Sequence, residues 1–130
     1  MFRTTVFLLA LALSVTAALA GEADVLKASA TRAAEGSWRF DVTIRHADTG
    51  WDHYADRFEL IDPETGRELA RRVLLHPHVN EQPFTRSLRP VRLPKGLKEV
   101  RVRAHDSVHG YGGREVLLKL PDASAQPTER

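Results

Sequence analysis

Six histidines hold most of the chemistry available to this chain of 130 residues, and they fall in three short stretches. His76 and His78 stand two residues apart across Pro77, with Glu81 three residues beyond the second. Proline fixes its own φ at about −65° and biases the preceding residue toward extended backbone, so this pair sits on a stiff segment. Residues two apart in extended chain project to one side, which lets both imidazoles approach a single ion. His105 and His109 belong to a second stretch rich in glycine, and His53 lies in Trp51-Asp52-His53-Tyr54. Neutral imidazole is the commonest metal-ligating side chain. The expected ligand set is therefore His76, His78, His105 and His109, with His53 as a fifth. Asp52, Asp56, Glu81 and Asp106 stand where a carboxylate would accept the remote N–H of such a ligand and fix its tautomer.

The metal is constrained by what the chain lacks. It has no cysteine, and Met1 is its one methionine. Nitrogen and oxygen donors without sulfur suit Cu(II), Zn(II) or Ni(II) and disfavour a dedicated Cu(I) carrier. Cysteine chemistry is excluded. His105-Asp106-Ser107 contains the residue types of a hydrolytic triad, but adjacent residues point apart and cannot form the relay.

The elements that must position these residues are strands. After residue 20 helical periodicity is absent, and period-two alternation recurs at short intervals. Strands are expected over 24–32, 37–46, 57–61, 67–75, 84–92, 98–105 and 114–120. The clearest is the second, where Trp38, Phe40, Val42 and Ile44 alternate with charged or polar residues. His46 continues that inward parity and reads as a structural residue. Pro90 argues for an edge position or a bulge in the fifth strand. Seven short strands at this spacing predict an all-β fold, an immunoglobulin-like antiparallel β-sandwich. The expected core is Trp38, Phe40, Val42, Ile44, Phe58, Leu60, Val100, Val102, Val116 and Leu118. Short turns at 33–36, 62–66 and 93–97 then share one end. Long connections at 47–56, 76–83 and 106–113 share the other, together with every histidine.

Residues 1–20 read as a secretory signal: Arg3, an apolar run from Val6 to Ala17, and the small-x-small site Ala18-Leu19-Ala20. Cleavage before Gly21 would leave one domain over 21–121 and a polar, disordered tail over 122–130, in a periplasmic or secreted protein. No cysteine stands beside that site, so no lipid anchor is expected there, nor any membrane association after cleavage. Without Arg3, eighteen Lys and Arg face seventeen Asp and Glu. Such near-neutrality gives no basic face for nucleic acid.

Three stretches together, Gly50-Trp51-Asp52-His53-Tyr54-Ala55-Asp56, His76-Pro77-His78 through Glu81-Gln82-Pro83-Phe84-Thr85-Arg86-Ser87, and Ala104-His105-Asp106-Ser107-Val108-His109-Gly110, resemble a group of small exported bacterial proteins of unassigned function. The resemblance spans most of residues 21–130 and implies a grouping without an activity.

The sequence thus predicts an exported protein that binds a divalent transition metal, Cu or Zn first, through histidines in three loops, for binding, sequestration or delivery. The alternative is an interaction module whose aromatic loops, with Trp51, Tyr54 and Tyr111, hold a periplasmic protein partner or small ligand. An acid–base enzyme using a histidine with Asp106 or Glu81 ranks last, and catalysis is not the expected role.

Overall fold

In a computed structural model describing residues 21–121, the chain forms an antiparallel β-sandwich of seven strands. The strands are β1 (Asp24–Arg32), β2 (Trp38–Arg45), β3 (Ala55–Ile61), β4 (Glu68–Val73), β5 (Phe84–Val91), β6 (Glu99–Asp106) and β7 (Val116–Lys119). The signal expected over 1–20 and the tail expected over 122–130 lie outside the described residues. One sheet has the order β1-β2-β5 and the other β4-β3-β6-β7. In the constant-type immunoglobulin arrangement the fourth strand joins the first, second and fifth. Here β4 pairs instead with β3, so the three-and-four split between the sheets is reversed.

Alternation explains the packing. Trp38, Phe40, Val42 and Ile44 from β2 bury against Phe58 and Leu60 from β3 and Val100, Val102 and Ala104 from β6. Removing this much apolar side chain from water is the main stabilising term. Val116 and Leu118, expected in the core, are only half-buried, because β7 is an edge strand whose outer side has no neighbour. Pro90 sits on edge strand β5 and at a bulge, since Trp38 pairs with Val91 and Phe40 with Leu88. Arg72 of β4 donates to the Ser87 carbonyl of β5 and ties the two sheet edges together.

Two further contacts shape the histidine end. The Val25 amide donates to the Arg114 carbonyl at 2.8 Å, laying the N-terminal segment against the approach to β7. This passage is so close that a Cβ on Gly113 would stand 1.9 Å from the Ala23 carbonyl oxygen. Only glycine fits there. Gly21 is thereby carried to the side of His46, whose Nε2 lies 2.8 Å from the Gly21 carbonyl oxygen.

Candidate metal centre

The long connections do meet at one end, and two buried aspartates join them. Asp48 follows His46 by two residues and is buried. Its Oδ1 takes the His46 Nδ1 proton at 2.5 Å and the Ala55 amide at 3.0 Å, while Oδ2 takes the His78 amide at 2.7 Å. One carboxylate thus fastens the end of β2, the start of β3 and the 76–83 loop. Gln82 adds a second tie, accepting from the His46 amide at 3.0 Å and donating to the His78 carbonyl at 2.9 Å.

Asp106 organises the last loop. It shares the inward parity of Val100, Val102 and Ala104, and is fully buried. Its Oδ1 caps the turn that follows, accepting the Val108 amide at 2.9 Å and the His109 amide at 2.8 Å. The turn is closed by paired backbone bonds between Asp106 and Gly110 at 3.0 and 3.1 Å, with Gly110 at a φ of +75° that glycine adopts freely. The same Oδ1 lies 3.0 Å from His53 Nε2 and 3.3 Å from His109 Nδ1. Burial pushes the Asp106 carboxyl pKa up, but the His109 and Val108 amides and the nearby imidazoles outweigh it and hold it below the usual range. Oδ2 is buried with no hydrogen-bond partner among the described residues.

His53 is folded back by its own loop, where Gly50 and His53 form an isolated bridge and leave Trp51 at the tip. Its ring centroid lies 4.8 Å from that of His46 and 4.9 Å from that of His109. Three imidazoles thus pack at steep angles beside one carboxylate. The ligating atoms of His46, His53 and Asp106 all fall within 4.8 Å of one another, close enough to hold a metal ion. A tetrahedral zinc site with bonds of about 2.0–2.1 Å needs its ligands roughly 3.3 Å apart, so these three would have to close by up to about 1.5 Å and leave a fourth position open.

The hydrogen bonds of His46 bear on that fit. Both of its ring nitrogens face oxygen acceptors, Asp48 and the Gly21 carbonyl. An ion at Nδ1 would displace Asp48, which otherwise orients the ring as carboxylates do behind ligating histidines, and an ion at Nε2 would displace the Gly21 carbonyl. A cleft of about 380 Å³ opens there, lined by Gly21, Glu22, Arg45, His46 and Gly112 among others.

The histidines expected from sequence as ligands fall in different surroundings. His53 and His109 lie at the group, and His46, read as structural, is one of its members. His76 and His78 do stand together, with ring centroids 4.6 Å apart. His78 is nevertheless buried, not the freer of the two, and stacks on Phe84 at 3.9 Å. Its Nε2 accepts from Arg86 at 3.0 Å, which puts the proton on Nδ1 and leaves no lone pair for an ion. Burial first, then the Arg86 charge, holds the His78 pKa below the ordinary value. His76 is exposed, with Nδ1 turned to the Pro77 carbonyl. His105 points to the opposite face from Asp106, where Nδ1 meets Asp56 at 2.5 Å and the ring meets Tyr111. Of the carboxylates expected to orient ligands, Asp106 and Asp56 do contact histidines, whereas Glu81 faces Arg86 at 3.7 Å.

Fold and site together define an antiparallel β-sandwich with a histidine–aspartate group in its loop end. Among known proteins the chain is similar to one named "Putative lipoprotein" from Halomicrobium mukohataei, at 36% identity over 109 residues. That match covers 84% of this chain and 53% of the relative, so the chain spans about half the length of the curated protein it matches. No family model and no solved structure matches the chain. No helix among the described residues is long and apolar enough to cross a membrane.

Proposed function

We propose that this protein is an exported metal-binding domain whose site is His46, His53 and Asp106, with His109 at its outer edge. The supporting observation is the convergence of His46, His53 and Asp106, whose ligating atoms lie within 4.8 Å of one another, on a buried carboxylate that keeps one oxygen unpartnered among the described residues. A buried acceptor without a partner costs about 1–3 kcal/mol, and a cation at Asp106 Oδ2 removes that cost. Histidine and carboxylate donors suit Zn(II) and Cu(II). Three protein ligands leave a coordination position for water or a recipient, which suits sequestration or delivery. The name of the relative points to the cell envelope, and with the signal read at residues 1–20 it supports export.

A second reading has its own observation. Trp51, Leu75, Val79 and Val108 are all more than half exposed, on or beside the three long connections. Exposed apolar side chains gathered at one end mark protein contacts, and a protein partner docking there would cover them. Elemental analysis of tag-free protein, paired with thermal melts with and without chelator, separates the readings. Metal binding predicts near-stoichiometric zinc or copper and a melting temperature lowered by the chelator. Metal-free protein whose melt ignores both chelator and added metal leaves the partner reading.

A further inference from the structure

The end of the sandwich away from the histidines holds a cavity of about 970 Å³, formed where the 33–37 and 92–98 turns meet the end of β7. Its volume lies in the range of small-molecule sites. Trp38, Leu93, Leu97 and Leu120 supply apolar lining. Five basic residues, Arg32, Arg92, Lys95, Lys98 and Lys119, also line it, against two acids, Glu35 and Glu99.

That surplus of positive charge is only partly neutralised. Arg92 donates to the Glu35 carbonyl at 2.7 Å and lies 3.8 Å from the Glu35 carboxylate. Arg32 stacks its guanidinium over Trp38 at 5.0 Å, and its Nε is buried without a hydrogen-bond partner among the described residues. The ion pairs of the described residues include no lysine, which leaves Lys95, Lys98 and Lys119 free to meet an anion. An inorganic anion would leave the leucines and Trp38 uncovered. An uncharged apolar molecule would desolvate the rim with nothing in return. Both halves of the lining are used by one chemical class.

We propose that this cavity binds an amphipathic monocarboxylate, with its hydrocarbon chain against Trp38, Leu93, Leu97 and Leu120 and its carboxylate at the basic rim. The proposal is independent of the metal reading, since the cavity lies at the opposite end of the sandwich. Calorimetric titration of the full chain in the presence of EDTA tests it, using decanoate, decanol and inorganic phosphate below the micelle concentration of the acid. The expected result is saturable one-to-one binding of decanoate, binding of decanol about tenfold weaker or less, and none of phosphate. The double substitution Lys95→Glu with Lys98→Glu, at two exposed positions, should weaken decanoate about tenfold and leave decanol unchanged. A matching thermal melt will show that the variant is folded. Equal affinity for acid and alcohol, or insensitivity to the charge reversal, would overturn the proposal. So would binding to phosphatidylglycerol vesicles without saturable binding of free decanoate, which would make this end a membrane-facing surface.

Discussion

Two carboxylates that this sandwich withdraws from water meet opposite kinds of partner. Glu59, on the outer face of the four-stranded sheet, is 2% exposed and accepts from Arg103 at 2.9 Å, Tyr111 at 3.0 Å and Arg57 at 3.4 Å, with Arg71 3.7 Å away. Asp106, on the inner face at the loop end, meets imidazoles and backbone amides and keeps one oxygen unpartnered. Burial raises the pKa of each, and in both the hydrogen bonds outweigh it, so both are held below the usual range. The partners differ in what they can release. Guanidinium is cationic at every working pH and has no lone pair, so it closes a carboxylate permanently. Imidazole carries a proton or a lone pair, and a site built from it can exchange that proton for a metal. One cluster is a clamp, and the other is the proposed site.

The largest expected effect treats the two regions alike. Both hang on the core through β3 and β6, so Phe40→Ala should cost about 3–5 kcal/mol in denaturant unfolding, the range for truncating a buried aromatic. A loss below about 1 kcal/mol would mean that Phe40 is not the packing residue described. Gly113→Ala begins to separate the regions. Its Cβ would collide with the Ala23 carbonyl, and moving that backbone should cost about 2–3 kcal/mol. Because the segment carries Gly21 to His46, metal affinity should change too, while the Glu59 clamp should not.

Glu59→Gln sharpens the contrast from the other side. The three arginines keep access to water, with 22–49% of their side chains exposed, so the loss should be modest, about 1–2 kcal/mol. The wild-type contribution is present above the ordinary glutamate value of about 4.3 and is lost as pH falls through the lower folded value. The variant should therefore lose less stability on acidification and bind metal unchanged. Unfolding curves from neutral to acid pH read both limbs.

The smallest effect concerns His78, which faces Arg86, His76, Asp48 and Glu81. Its folded pKa is lowered, so its contribution is complete above about pH 6.5 and declines as pH falls through the folded value. His78→Phe, which keeps the stack on Phe84, should flatten the fall in stability between about pH 7 and pH 5 and leave metal binding intact. Loss of binding in that variant would restore His78 to the site.

Much of this arrangement was legible in the alternation of the strands. The inward run from Trp38 to Ile44, the bulge at Pro90 and the gathering of long connections at one end all follow from period-two patterning and turn residues. The histidine–aspartate group was less so, for two physical reasons. Parity placed His46 inward, and inward was equated with structural, although a buried histidine beside a buried carboxylate can be both. Parity also divides neighbours. Asp106 shares the face of Val102 and Ala104, so His105 must point outward, away from His109. Asp48 had no motif to announce it in Ala47-Asp48-Thr49-Gly50, and its role depends on three segments that only the tertiary fold assembles. The one available signal was its spacing of two from His46.

The central claim is that the ion sits at the imidazoles beside Asp106 and not at the proline-linked pair. Electron paramagnetic resonance of tag-free protein titrated with Cu(II) tests this most directly, because nitrogen superhyperfine splitting reports ligating imidazoles. The prediction is one equivalent of nitrogen-ligated Cu(II) whose signal is lost in His53→Ala with His109→Ala and kept in His76→Ala with His105→Ala. A signal that survives the first double substitution and vanishes in the second would contradict the account.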